Sequence, residues 1–304
     1  MTVPATPVEA GGDGRQAVYA AGARRNRSIV WSKFTRNRLA SASAIMVLVL
    51  VLLAIFAPWV APRDPLYIDM DHKFARPGEA GFFLGADELG RDVFSRLLHA
   101  GRVSLAVGLM TALITVLVGS VLGALAGYYG GMIDAMIMRL VDVLLSMPTI
   151  FLLLALAAFL RPTVLAITLI IGLNSWMSVA RMVRGQILSI KQQEFILAAR
   201  AMGAGDRRLI FRQLLPNAIA PVLVAATLNV ATAILLESSL SYLGFGIQPP
   251  TASWGNMLNN AQTYVLYAPW VAVYPGIMIT LTVLSFNFAG DGLRDALDPR
   301  LSLV

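Results

Sequence analysis

Six stretches of the chain contain no Asp, Glu, Lys or Arg, and their length is what most limits the possible fold. They are 39–62, 103–133, 143–160, 162–180, 213–236 and 238–290. A helix needs roughly 20 apolar residues to cross the hydrocarbon core of a membrane, and most of these stretches reach that length. A large soluble core rarely leaves uncharged runs this long. We therefore expect an all-α, polytopic membrane protein, and the 13% of charged residues, against about 25% in soluble domains, agrees.

Six transmembrane helices fit these stretches, at 39–60, 103–127, 133–160, 163–181, 217–243 and 267–289. The run after Glu237 is too long for one helix, and its polar, proline-containing middle (246–263) predicts a structured loop. Pro148 and Pro221 fall inside predicted helices and are expected to kink them. The alternative of an N-terminal signal peptide is disfavoured, because the first apolar run is long and begins well inside the chain.

The positions of Lys and Arg predict the orientation. Segments 1–38 and 181–212 each hold seven basic and two acidic residues, whereas 61–102 holds six basic and seven acidic ones. The positive-inside rule then places both termini in the cytoplasm. The expected organisation is a disordered, basic cytoplasmic tail (1–38), a first helix (39–60), an extracytoplasmic loop (61–102), a five-helix core (103–290) and a cytoplasmic C-terminal tail (291–304).

The connection 191–216 between the fourth and fifth predicted helices carries the strongest functional signal. Phe195, Ala198, Ala199 and Met202 recur at helical spacing, and Gly203 begins a Gly-Ala-Gly bend before a second short, basic helix. Two short amphipathic helices held between membrane helices are suited to lying in a groove of a cytoplasmic partner. The small alanines would permit close approach of the backbones. The alternative is an amphipathic helix that rests on lipid.

Polar side chains inside the predicted helices are candidates for a transport path. Asn174 and Ser178 on the fourth helix, with Asn229 and Thr232 on the fifth, can line a wet path without charge, although helix packing uses the same side chains. The lone carboxylate of Glu237 is a further candidate. Its alternative role is a structural hydrogen bond, since serines are adjacent.

Three other charged residues lie near the inner end of the third predicted helix. They are Asp134, Arg139 and Asp142. Arg139 and Asp142 share a helical face at a spacing of three residues and are expected to pair.

Several kinds of chemistry are excluded or unsupported by the residues. There is no cysteine, so disulfides and thiolate ligands are excluded. No G-x-x-x-x-G-K-[ST] string is present to hold nucleotide phosphates. His72 and His99 lack the spacing of metal ligands. The net charge of +7 is explained by basic residues beside membrane helices rather than by nucleic-acid binding.

Segment 191–216 resembles the signature of permease subunits of bacterial ABC importers, which is Glu-Ala-Ala, three residues, Gly, nine residues and Ile-x-Leu-Pro. Ala198, Ala199, Gly203, Leu215 and Pro216 match, whereas Leu197 stands in place of Glu and Gln213 in place of Ile. Further strings resemble the C-type subunit of the dipeptide/oligopeptide/nickel branch. They are GADELGRDVFSR (85–96), GRVSL (101–105), GYYGG (127–131), RLVD (139–142), LSYLGFG (240–246), QPP (248–250) and GDGLRDALDP (290–299).

This resemblance implies a type I importer permease in the bacterial inner membrane, with no catalytic or metal site of its own. The implied partners are a homologous permease, two cytoplasmic ATPase subunits that bind ATP and Mg²⁺, an extracytoplasmic solute-binding protein and membrane lipid. It also implies that the ATPase-coupling residues lie in segment 191–216, where we expect Glu194, Ala198, Ala199, Arg200, Gly203, Asp206, Arg207, Leu215 and Pro216 to take part.

The expected function is import of small peptides, with glutathione or nickel chelates as alternative cargo of the same complex type. A secondary transporter driven by an ion gradient is a second hypothesis. It is disfavoured because such transporters usually carry several intramembrane carboxylates, whereas this chain offers Glu237 alone near the outer end of a span, and because no internal repeat is visible. An exporter or a membrane enzyme is the weakest alternative, because no nucleophile elbow or acid–base pair is recognisable.

Overall fold

A computed structural model describes residues 31–297, and within that range the chain is built from helices without a strand. Residues 31–36 are helical. The helices that follow are α1 Arg38–Ile55, α2 Ala57–Val60, α3 Val93–Tyr129, α4 Gly131–Leu145, α5 Thr149–Phe159, α6 Val164–Ile190, α7 Glu194–Ala201, α8 Asp206–Leu209, α9 Leu215–Asn217, α10 Ile219–Tyr242, α11 Trp254–Ala261 and α12 Trp270–Leu297. Short 3₁₀ turns occur at Met70–His72 and Glu79–Gly81, and Ile210–Leu214 is a π-helical turn.

Five of the described helices are long and apolar enough to cross a membrane, namely α1, α3, α6, α10 and α12. The predicted third span, 133–160, is not one helix. It is divided into α4 and α5, which meet at an angle of 89°. Pro148 caps the start of α5 with extended backbone, because proline offers no N–H to continue a helix. The described part therefore holds six spans only if this bent pair crosses as one.

Other predicted boundaries also differ from the structure. The loop predicted to run to residue 102 ends at Asp92, whose side chain accepts a hydrogen bond from Ser95 N and caps α3. Helix α6 continues nine residues past 181, and α12 continues past 290 to Leu297. Charged residues mark where an apolar run ends, but a helix continues into water wherever its hydrogen bonds remain satisfied.

Most of the predicted N-terminal tail and half of the predicted C-terminal tail fall outside the described residues. Of the tail 1–38, only 31–38 is described, and there the chain is helical except at Asn37, which caps α1. Of the tail 291–304, the described part, 291–297, belongs to α12. Pro221, which is expected to kink a helix from inside it, instead follows the turn at Ala218 that separates α9 from α10. This proline lies in the first turn of α10, where its missing N–H has no helical partner to lose.

Helices α3 and α6 share the most extensive helix–helix contact among the described residues. Three glycines spaced four residues apart on α3 lie in this contact. A Cβ atom placed on Gly119 would lie 2.8 Å from the carbonyl oxygen of Trp176, and one on Gly127 would lie 2.9 Å from that of Arg184. Gly123, between them, faces the backbone of Ala180. Such small residues let helix backbones approach closely in membranes. The α3–α6 pair is therefore a single packed unit.

Two ion pairs tie α4 to α6. Both carboxylate oxygens of Asp134 accept from Arg184, at 2.5 and 2.6 Å, and Asp142 accepts from Arg181 at 2.7 Å. The expected pairing of Arg139 with Asp142 is therefore wrong. Asp134 and Asp142 lie about two helical turns apart on α4, and each faces an arginine of α6. The contact between the two helices, and not the spacing along α4, therefore decides which arginine pairs with Asp142.

The close approach of α3 and α6 generates a prediction. Gly119→Leu should lower the melting temperature and the folded yield of the detergent-solubilised protein, since overpacking of a tight contact typically costs about 1–3 kcal/mol. Gly185→Leu is the matched control, because a Cβ on this helical glycine of α6 meets nothing within 4 Å. Equal melting temperatures for the two variants would contradict the packing described here.

Candidate functional site

An open cavity of about 390 Å³ lies between α6 and α10, next to the α4–α5 bend. Its lining residues are Leu145, Thr149, Asn174, Ser175, Ser178, Val179, Met182, Ala225, Leu228, Asn229, Thr232 and Leu236. Four of the five predicted pore residues are among them: Asn174 and Ser178 from α6, and Asn229 and Thr232 from α10. The structure thus brings together side chains that are more than 50 residues apart in sequence. None of these described lining residues is charged.

The hydrogen bonds of the lining residues leave oxygen atoms available to the cavity. Asn229 Nδ2 donates to the carbonyl of Ala225 at 2.7 Å, and Thr232 Oγ1 donates to that of Leu228 at 3.1 Å. Ser175 Oγ donates in the same way to Ile171 at 2.8 Å. Hydroxyl and amide groups that donate back along their own helix keep acceptor lone pairs free. The cavity wall is therefore apolar, with uncharged acceptors set into it.

Glu237, the fifth predicted pore residue, does not line this cavity. Its side chain is fully buried, and its carboxylate oxygens accept from Ser241 at 2.8 Å and from Ser104 at 3.1 Å. A buried carboxylate requires such donors. The structure therefore places Glu237 in the structural role that was its alternative.

The serines around Glu237 extend its contacts to the neighbouring loop. Ser104 Oγ on α3 also accepts from the backbone N–H of Trp254, at 3.2 Å, and Ser241 Oγ accepts from that of Ile247, at 3.1 Å. Glu237 and its hydroxyl partners therefore connect α3, α10 and the start of α11. This network lies at the end of α10 far from segment 191–216.

The segment 191–216, here called the docking segment, consists of α7, a bend, α8 and the π-helical turn that leads into α10. At the bend Gly203 has φ +82°, a backbone conformation that favours glycine. The two helices and the glycine bend that the spacing predicts are thus present.

The docking segment has an inner and an outer face. Ile196, Ala199, Leu209, Ile210 and Leu214 are buried against α3 and α6. Exposed apolar side chains cover the outer face, and these are Phe195, Leu197, Ala198, Met202 and Phe211.

The burial of Ala199 corrects the prediction that it contacts a partner together with Ala198. Ala199 lies one turn after Ile196 and shares its inward face, so it packs inside this chain. Ala198 stays on the outer face.

Polar residues accompany the outer face. Glu194, Arg200 and Arg207 are exposed, as is Pro216, whereas Leu215 is partly buried. A surface depression of about 740 Å³ lies beside the bend, lined by Gly205, Asp206, Arg207, Arg208, Phe211 and Arg212. The outer face is therefore apolar with a basic border.

Tyr128, at the end of α3, holds the docking segment and was not among the predicted site residues. Its hydroxyl donates to Asp206 Oδ1 at 2.5 Å, and its side chain is buried. The only sequence signal was its place in the string GYYGG at the end of an uncharged run. Nothing in that string alone indicates a contact 78 residues away.

Two family profiles match the chain. The profile described as "Binding-protein-dependent transport system inner membrane component" matches residues 119–303, which is more than half of the chain. The profile described as "N-terminal TM domain of oligopeptide transport permease C" matches residues 27–77. Together they span α1 and everything from the middle of α3 onward.

Curated relatives are similar over nearly the whole chain. The Di/tripeptide transport system permease protein DppC of Pseudomonas aeruginosa (strain UCBPP-PA14) is 42% identical over 276 residues, covering 89% of this chain and 91% of that protein. The Glutathione transport system permease protein GsiD of Shigella flexneri serotype 5b (strain 8401) is 45% identical over 272 residues, covering 89% of each. GsiD of Escherichia coli O6:K15:H31 (strain 536 / UPEC) is 44% identical, with the same coverage.

A solved structure has the same fold. A chain of the structure titled "Inward facing conformations of the MetNI methionine ABC transporter: CY5 native crystal form" aligns with a TM-score of 0.53 and 24% identity. The alignment covers 66% of this chain and 96% of that one. The helical core described above is therefore an ABC importer permease fold.

The cavity can be tested by cysteine accessibility, because the chain has no cysteine of its own. Thr232→Cys should react with a water-soluble maleimide in membranes, since a thiol must ionise in water to become nucleophilic. Thr280→Cys on α12 is the matched control. Its threonine also donates to its own helix, at Gly276 O, but it does not line the cavity. Equal labelling of both cysteines would contradict a wet path at Thr232.

Proposed function

This chain belongs to the family of binding-protein-dependent transport system inner membrane components, and on that premise we propose that it forms half of the path of an ATP-driven importer of short peptides. The main support is the 42–45% identity, over 89% of the chain, to permeases named for di/tripeptides and for glutathione. Glutathione is itself a tripeptide, so the two names share one substrate class. Glutathione remains the specific alternative cargo.

The cavity chemistry supports a path for peptides of varied sequence. Uncharged acceptors such as Asn229 and Thr232 can meet the amide and ammonium groups that every peptide carries. An uncharged lining neither binds tightly nor repels peptides that carry acidic or basic side chains. We assign selection among peptides to an extracytoplasmic solute-binding protein, which delivers the substrate to the outer side of the path.

The outer face of the docking segment is the proposed contact with an ATPase subunit. The occupant we propose is a cytoplasmic ATPase whose groove is apolar and bordered by acidic residues, as the exposed Leu197 and Met202 and the nearby Arg207 and Arg208 require. The chain has no phosphate-binding string of its own, so we place ATP and Mg²⁺ in two such subunits. A homologous permease completes the path. The chain lies in a bacterial inner membrane, and both of its termini are on the cytoplasmic side.

The proposed mechanism is alternating access driven from the docking segment. Closure of the ATPase pair displaces the segment, and the spans rock as rigid bodies around the cavity. This chain's residues bind the ATPase, line the path and transmit the motion. They perform no covalent chemistry in this mechanism.

The docking contact generates a prediction about Met202, which is 81% exposed. Met202→Asp should lower ATPase affinity by roughly tenfold or more, because a charge then enters an apolar contact. Met202→Leu keeps the apolar bulk and should bind normally. Co-purification of tagged ATPase with each variant measures the effect, with the second permease as an assembly control. Normal ATPase binding by Met202→Asp would contradict the proposed contact.

The energy source generates a separate prediction. Proteoliposomes holding the full complex should import a dipeptide with binding protein outside and ATP inside, and an uncoupler of the proton gradient should leave this import unchanged. Import that stops with the uncoupler while ATP persists would indicate the ion-driven alternative. Competition by glutathione distinguishes the two proposed cargoes.

A further inference from the structure

The contacts of Tyr128 reach three separate points on or beside the docking segment. Its hydroxyl donates to Asp206 at the start of α8. Lys191, where α6 ends and the segment begins, donates from Nζ to the Tyr128 carbonyl oxygen at 2.5 Å. Arg200 near the end of α7 lies with its guanidinium carbon 5.7 Å from the ring centroid, and Lys191 Nζ lies 5.5 Å from it. Cations at about 6 Å or less from an aromatic ring are attracted to it.

The backbone alone would attach the docking segment loosely. A turn at 191–193 connects α6 to α7, and the bend at Gly203 and Gly205 connects α7 to α8. A Cβ on either glycine meets nothing within 4 Å, so neighbouring atoms do not clamp this bend. A force applied to α7 could therefore be absorbed by rotation at these two joints. Tyr128 spans both joints, because it contacts residues before, between and after them.

The tyrosine also connects the segment to two membrane helices at once. Tyr128 follows directly on Gly127, the last of the three glycines through which α3 packs against α6. Its burial among Val183, Ile187, Ile196 and Leu209 includes side chains from both α6 and the segment. A displacement of the segment that is transmitted through Tyr128 therefore moves α3 together with α6, and α6 carries one wall of the cavity.

We propose that Tyr128 is a positioning residue that locks the docking segment to the α3–α6 pair, so that ATPase movement enters the spans as one rigid displacement. This inference rests on the proposed function. It concerns transmission rather than docking, because the Tyr128 ring is buried beneath the segment and does not belong to its outer face. Without the lock, the ATPase stays bound and still hydrolyses ATP. A smaller part of its movement is then transmitted to the membrane helices, so less dipeptide is imported per ATP.

The test compares Tyr128→Phe with Tyr129→Phe in the reconstituted full complex. Both remove one tyrosine hydroxyl, from adjacent residues, and Tyr129 is 47% exposed. The readouts are ATPase co-purification, ATP hydrolysis and dipeptide imported per ATP. Tyr128→Phe should lower dipeptide per ATP at least about threefold, since hydrogen bonds to charged acceptors are among the stronger ones. Hydrolysis and co-purification should persist, and Tyr129→Phe should match the wild type.

A double-variant cycle separates transmission from general weakening. Asp206→Ala should lower dipeptide per ATP as Tyr128→Phe does, and the double variant should lower it no further. An unchanged ratio in Tyr128→Phe, additive losses in the double variant, or loss of ATPase co-purification with Tyr128→Phe would each overturn the lock. Failure of the wild-type complex to import dipeptide with ATP would instead overturn the proposed function itself.

Discussion

The close packing of α3 against α6 is the contact on which the other features depend. A membrane offers no water to backbone groups, so helices satisfy their own hydrogen bonds and then associate through shape. Gly119, Gly123 and Gly127 provide that shape along three turns of α3. One face of α6 is thereby fixed against α3, and Asn174 and Ser178 are left on the cavity wall. The docking segment follows directly from the end of this pair.

Two distant points of α3 are held by different chemistry. Ser104, about a third of the way along the helix, donates to Glu237 and accepts from the Trp254 backbone. At the C-terminal end Tyr128 donates to Asp206. Ser104 and Tyr128 are 24 residues apart, which is about 36 Å along a helix. A single helix therefore connects the loop around α11 with the docking segment, and Glu237 is hydrogen-bonded to that helix through Ser104.

Much of this architecture could be predicted from local sequence, because the deciding physics is local. Uncharged runs predict the membrane helices, and four of the polar residues within them line the cavity. The sequence also predicts the bend at Gly203, which the structure contains. The predictions that are wrong concern side chains whose position depends on another helix. The spacing pairs Arg139 with Asp142, yet Arg181 binds that carboxylate. The spacing also puts Ala199 on the outer face, yet packing against α3 and α6 buries it. The break at Pro148 is the kink that its proline predicts, whereas the contact of Tyr128 with Asp206 is a tertiary outcome of the same kind as the two errors.

The central claim is that the docking segment and the α3–α6 pair move as one body. The most direct test is a distance measurement by double electron–electron resonance between spin labels on cysteines at Leu113 of α3 and Gln193 at the start of α7, both exposed and neither placed in the ATPase contact. The absence of native cysteine makes the labelling specific. In the full complex, trapped with and without ATP, we predict the same narrow distance distribution, while distances to the second permease change. A Leu113–Gln193 distance that shifts or broadens when ATP binds would contradict this claim.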